Sequence, residues 1–391
     1  MLKFGNWYFA TWVLVLVLYS LHWSALNQTM TAPLLWFFFV TCTISLILGI
    51  LSSPTIKTRI VLTRKHNPVV TILIALGFFL DWAYQGAVPV TQSYSGFQVG
   101  DQQTKVSVGI PGFHVFLISF TLFYGFYLIY LYFSNRQLRL FIEFLTIFIL
   151  FIFNNSRGYC TFLLLIFILL FLFFKKTSKG ASVRVLLLSF VFAIGVLLFI
   201  GVLGNIRSGY SWNDSSYIQR IGLYNKYPEI LPKLFMWAYT YVTSPLANLN
   251  FNIVLGNSAN SLASVFYEFI PQMFGSSGTV INAVYIREYL NASTGFISSA
   301  CADGIIGMYV FFIGEFLIFL LVRTFIKRQG VILPLCDAVL SFLTMATLFF
   351  NPLRTAALSL DIYFLVILSM LIRRRLNAGK VRVEIVGQEL L

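Results

Sequence analysis

Apolar runs, most of them about 20 residues long, alternate along the chain with short polar clusters, and about 20 helical residues at roughly 1.5 Å each cross the hydrocarbon of a bilayer. Read in order, the runs predict ten spans. They are Trp7–Trp23, Pro33–Leu51, Pro68–Val90, Gly112–Phe133, Leu140–Phe153, Tyr159–Phe174, Val185–Leu203, Phe296–Val322, Val331–Phe350 and Thr355–Ile372. The predicted fold class is therefore all-α and polytopic, with a bundle over residues 1–203, a large connection over 204–295, a second bundle over 296–372 and a tail over 373–391. The first run follows Lys3 and lacks a small-residue cleavage site before the next span, so it reads as a retained anchor. Within the large connection, Phe235–Leu255 is moderately apolar but carries Pro245, Asn248, Asn250 and Asn252, the pattern of a re-entrant or interfacial segment.

Composition agrees: 59% of the 391 residues are hydrophobic and 10% are charged, which no soluble domain combines. The net charge of +14 would point to nucleic acid in a soluble protein, so the placement of the positive residues decides what it means. With the N-terminus inside, nineteen of the 27 Lys and Arg residues fall on one side of the predicted spans, as the positive-inside rule requires of the cytoplasmic side. Both termini are then cytoplasmic, the 204–295 connection faces outward, and a nucleic-acid partner loses its support. Cys42, Cys160, Cys301 and Cys336 form no C-x-x-C pair and mostly sit in apolar runs, as packing residues do.

The chain contains no phosphate-binding loop, D-x-D pair, H-E-x-x-H or G-x-S-x-G, which disfavours ATP-driven transport, metal-dependent nucleotide-sugar transfer and the common hydrolases. The outward side instead carries five arginines where positive charge is depleted: Arg157 in Asn154-Asn155-Ser156-Arg157-Gly158, Arg207 in Gly204-Asn205-Ile206-Arg207-Ser208-Gly209, and Arg220, Arg287 and Arg354. A guanidinium makes two parallel bonds to phosphate, so such a set suits an anionic lipid-linked substrate; pairing with Asp214, Glu229, Glu268 or Glu288, or with lipid headgroups, is the alternative. Asp81, Asp303 and Asp361 lie in or beside apolar runs, where acids are costly. Asp361 stands seven residues after Arg354, which predicts an ion pair, and Asp81 stands in the outer half of its span, toward Arg157. His114, after Pro111-Gly112, is either a proton acceptor or a helix-end residue. The loop aromatics, Tyr241 among them, suit both a membrane interface and sugar faces.

The order of these motifs resembles the O-antigen polymerases (Wzy type), or oligosaccharide repeat unit polymerases. The resemblance covers most of the chain and rests on Asn155-Ser156-Arg157-Gly158, Gly204-Asn205-Ile206-Arg207, the run Tyr241-Val242-Thr243-Ser244-Pro245-Leu246-Ala247-Asn248, and Thr294-Gly295-Phe296 through Asp303-Gly304-Ile305-Ile306-Gly307, with Gly314 beyond. It implies a multi-pass protein of the bacterial inner membrane that joins undecaprenyl-pyrophosphate-linked oligosaccharides at the periplasmic face, without metal, nucleotide or other cofactor. A chain-length regulator and a flippase are the implied partners. Arg157, Arg207, Asp81 and His114 are the expected catalytic group, and Arg220, Arg287, Arg354, Tyr241 and Asn248 the expected substrate contacts. An O-antigen ligase would also be polytopic, but its family pattern includes a histidine in the large loop, and residues 204–295 contain none. A flippase would concentrate polar residues along a path through the spans.

Overall fold

The computed structural model describes residues 3–52, 58–62, 67–94, 109–175, 195, 198, 201–202, 204–205, 208–274, 282–287, 290–329, 332–378 and 381–385. The expected span Val185–Leu203 lies almost wholly outside the described residues, as do Arg207 and Glu288. A helix occupies each of the other nine expected spans: α1 (Phe4–Ser20), α2 (Ala32–Leu51), α3 (Val69–Gln85), α5 (Phe113–Asn135), α6 (Leu138–Phe153), α7 (Arg157–Lys175), α11 (Ile297–Gln329), α12 (Leu333–Ala346) and α13 (Ala356–Asn377). The intervening helices are α4 (Pro89–Tyr94), α8 (Ser216–Ile221), α9 (Phe235–Val254) and α10 (Leu262–Val265). Among the described residues four helices, α2, α5, α11 and α13, are long and apolar enough to cross a bilayer.

The core is organised around α5 and α12. Along α5, residues Leu117 to Phe133 bury nearly every side chain against α6, α7 and α13, and α12 is buried from Leu333 to Thr344 between α1 and α7. Helices that are apolar on all faces have no solvent side, and both consequences are visible here. The inner faces interlock through ring contacts such as Trp12–Phe38 and Tyr8–Phe312, at 4.5 and 5.2 Å between centroids. The outer faces leave Trp36, Phe39, Ile47 and Ile50 of α2 and Ile72, Leu73, Leu76, Phe79 and Leu80 of α3 uncovered. A contiguous apolar exterior of this extent belongs in lipid rather than water.

One short ladder departs from the all-helical expectation. Residues Thr58–Leu62 (β1) pair antiparallel with Val381–Ile385 (β2), Ile60 opposite Val383. It joins the connection after α2 to the tail after α13 at one end of the bundle, where the charge count also placed both segments. The described residues of the 204–295 connection pack at the other, here called the loop end. Helix α11 is broken: Asp303 (φ −150°, ψ 39°) and Gly304 (φ 56°, ψ −143°) leave the helical region, a conformation open essentially only to glycine at position 304. The carbonyls of Cys301 and Ala302 freed by the break accept from the backbone N–H of Ala259 and Ser261, both at 2.9 Å. Asp303 is thus a helix-break residue, not a mid-span acid.

Candidate functional site

The loop end is held together by asparagines that imitate backbone. Helix α9 runs unbroken through Pro245 with most of its side chains buried, against α1, α8 and α11. Asn248 donates to the carbonyls of Leu290 and Ala292, each at 2.8 Å, and accepts from the Ile286 N–H at 3.1 Å. One turn on, Asn252 donates to Val284 O at 2.7 Å and accepts from the Val284 N–H at 2.9 Å. Asn250, on the other side of the helix, donates to Thr29 O and accepts from the Thr31 N–H. The carboxamide offers the same donor and acceptor as a peptide group, so the three residues clamp two irregular segments that no helix or sheet could satisfy. Asn248, expected to touch substrate, is committed to this clamp, and Arg287 lies exposed on the segment it holds.

Asp81 and His114 meet. His114 Nδ1 lies 2.6 Å from Asp81 Oδ2, and the Ile110 N–H donates to Asp81 Oδ1 at 2.8 Å. Asp81 is fully buried, whereas the His114 side chain keeps 19% of its surface. The approach depends on Gly109, at φ +74°, where a Cβ would stand 2.3 Å from Asp81 Oδ1. An ionised carboxylate only accepts, so Nδ1 is the donor in this contact, and in the neutral ring it is Nε2 that carries the lone pair. This is how a positioned carboxylate prepares a histidine to take a proton.

The hairpin carrying Arg157 adjoins this pair. Trp82, next to Asp81, donates from Nε1 to Asn154 Oδ1 at 3.1 Å, and Asn154 donates to Ser156 Oγ at 2.9 Å. Asn155 takes φ +53° to close the turn, and Arg157 opens α7. From α7, Tyr159 contacts Phe162, and Phe162 contacts Phe350 at 5.5 Å, which leads to the Asn351-Pro352-Leu353-Arg354 turn. That turn returns to α5 where Ser119 meets Ala356 O at 3.5 Å. These contacts link, one to the next, the four elements that carry Asp81, His114, Arg157 and Arg354: α3, α5, α7 and the 351–354 turn.

Arg354 pairs with Glu268 through Nη1; Asn351 donates to both the Glu268 carbonyl and its carboxylate, at 2.9 and 3.1 Å. Burial pushes the Glu268 carboxyl up, and Arg354 and Asn351 pull it back. The pair expected between Arg354 and Asp361 is not formed: the guanidinium turns toward the large connection, and Asp361 is fully buried with neither carboxylate oxygen hydrogen-bonded among the described residues. Arg220 closes α8 with its guanidinium 5.9 Å above the Tyr217 ring, and Tyr241 stacks on Trp237 at 5.9 Å. Position 207 lies outside the described residues, but its neighbour Asn205 is buried and accepts from Trp237 Nε1 at 2.6 Å.

Three acids inside the bundle escaped the sequence reading. Glu143 accepts from Thr71 at 2.6 Å, Asp337 takes Arg323 at 2.7 and 3.3 Å, and Glu315 is fully buried with both oxygens unbonded among the described residues. Each interrupts a long apolar run as a single letter, a signal the run-length reading smooths over. Among the described residues no group of His, Cys, Asp and Glu could hold a metal ion. No family model, curated protein or solved structure matches the chain.

Proposed function

We propose that this chain is a glycosyltransferase of the O-antigen polymerase type, joining undecaprenyl-pyrophosphate-linked repeat units at the periplasmic face of the bacterial inner membrane. The observation that carries the reading is the buried Asp81 carboxylate against a partly open His114 ring, beside the Arg157 hairpin and at the end of an apolar bundle. In the reaction the acceptor hydroxyl oxygen bonds to the anomeric carbon of the donor chain. The bond from that carbon to pyrophosphate breaks, and the lipid pyrophosphate leaves with the electron pair. His114 takes the hydroxyl proton on Nε2, and Asp81 stabilises the imidazolium that forms. Charge builds on the leaving pyrophosphate, which Arg157, Arg207 and Arg287 are placed in the sequence to receive, with Arg220 and Arg354 as further candidates. The donor bond supplies the energy, so no nucleotide is required.

The deciding experiment is a gel of surface lipopolysaccharide or capsule from a deletion strain of the native host. Complementation with wild type should restore a ladder, and Arg157→Ala or His114→Ala should leave single repeat units. Long polymer that stays on its lipid carrier would identify a ligase instead, and a ladder unaffected by the deletion would remove both readings.

A further inference from the structure

At the end of the bundle opposite Asp81 and His114, cations close two neighbouring helices. Lys327 and Arg328 stand in the last turn of α11, and Arg373, Arg374 and Arg375 stand near the end of α13. Arg373 Nη1 donates to the Arg328 carbonyl at 3.1 Å. The bond satisfies one of the carbonyls that a helix end leaves over, and it ties the two basic ends together. Arg375 lies within electrostatic reach of Tyr127 on α5. Arg328, Arg374 and Arg375 are exposed. The acids of this end are committed elsewhere: Asp337 takes Arg323, Glu143 takes Arg139, and Glu384 stands opposite Arg59 in the ladder. Among the described residues no carboxylate pairs with Arg328, Arg374 or Arg375.

Each of the two helices also carries an exposed apolar strip, and each strip ends in one of these arginines. On α11, Ile313, Leu317, Leu321 and Phe325 are exposed and Arg328 follows; on α13, Tyr363, Ile367 and Met370 are exposed and Arg374 follows. The steps of three and four residues put each set on one face of its helix. Met370, Arg373, Arg374 and Asn377 line an open groove at the head of the second strip. The positive-inside rule accounts for the side on which the cations stand, and helix C-termini favour cations in general. Neither accounts for exposed guanidiniums that are bridged across two helices, have no acid to neutralise them among the described residues, and head two lipid-facing strips.

We propose that the joined ends of α11 and α13 bind an anionic phospholipid of the leaflet on that side, with its phosphate held by Arg328 and Arg374 and its acyl chains along the two strips. A guanidinium offers parallel N–H donors matched to a phosphate. A long side chain near a helix end reaches the headgroup level while the helix itself stays in hydrocarbon. From Ile313 to Phe325 the first strip runs roughly 18 Å at about 1.5 Å per residue, close to one leaflet's share of the ~30 Å hydrocarbon core. A lipid held there pins the depth of both helices in the bilayer. The inference rests on the membrane character of the chain and not on the polymerase reading.

The test uses the full chain in liposomes, with the four native cysteines replaced and a bimane fluorophore on Leu371→Cys, an exposed position beside the second strip. Lipids with brominated acyl chains quench the fluorophore on contact, so quenching by brominated phosphatidylglycerol against brominated phosphatidylcholine gives their relative affinity at this site. The otherwise unaltered protein should prefer phosphatidylglycerol by about tenfold, as two arginines near one phosphate imply. Arg328→Gln with Arg374→Gln should bring the preference to within about twofold of unity, whereas Arg328→Lys with Arg374→Lys should keep most of it. Lys175→Gln with Lys176→Gln removes two cations that the charge count puts on the same side, and should leave the preference unchanged. No preference in the unaltered protein, or one that survives loss of both arginines, would overturn the site. An equal loss in the arginine and lysine pairs would assign the effect to general surface charge and overturn it as well.

Discussion

In the proposed reaction His114 takes a proton while Asp81 fixes the orientation of its ring, so the two side chains make different predictions. Removing the imidazole in His114→Ala should lower polymerisation by about 100-fold or more. In Asp81→Asn the ring remains but its tautomer is no longer fixed, and a loss of similar order is expected with the protein still folded. In vitro elongation with lipid-linked repeat units measures both; a His114→Ala enzyme of wild-type rate would remove the ring from the chemistry. Arg354 is a different case, because its partner is buried. Glu268→Ala removes the buried carboxylate that Arg354 pairs with and should cost about 3 kcal/mol in denaturant unfolding. The double change Glu268→Gln with Arg354→Gln should recover part of that, since neither member of the pair is then charged. Asp361, two turns from Arg354 in sequence, was the legible partner; spacing on one helix reports which residues share a face, and not which way a long side chain turns.

At the level of elements, the asparagine clamp and the break in α11 convert irregular backbone into a fixed scaffold. Asn248→Asp keeps the shape but replaces two donations to carbonyls by repulsion, with a loss of about 2–3 kcal/mol. Limited proteolysis should then cut within residues 282–292 faster than in wild type, and unchanged cleavage would show that the clamp is dispensable. Gly304→Ala forces a side chain into φ 56°, ψ −143°, a strain of about 1–3 kcal/mol readable as a lowered Tm. The sequence pointed to both places without giving their meaning. Pro245 and the asparagine triplet marked residues 235–255 as unusual, but a re-entrant segment and a continuous buried helix share that signature. The helix persists because packing along most of its length outweighs one missing N–H.

For the molecule as a whole, the uncovered apolar faces of α2 and α3 and the depletion of positive charge at the loop end define an orientation that chemical labelling can check. In a background with the four native cysteines replaced, Ser211→Cys at the loop end should react with a membrane-impermeant maleimide in intact cells. Asn377→Cys at the opposite end should react only after permeabilisation; the reverse pattern would invert the topology. Both positions are exposed, so a lack of reaction reports sidedness and not burial.

The amino-acid sequence by itself determined that the chain carries helices apolar enough to cross a bilayer and, for the nine expected spans among the described residues, where those helices lie to within about two turns. Those properties depend on local hydrophobicity summed over a helix length, which needs no knowledge of neighbours. Only the tertiary structure decided that Asp81 meets His114 across 33 positions of chain, that Arg354 takes Glu268 instead of Asp361, and that Asn248 serves the backbone of residues 286–292. Each is a contact between residues far apart in sequence, and which of many equally polar candidates meet is set by the packing of α3, α5, α9 and α13 rather than by any one of them.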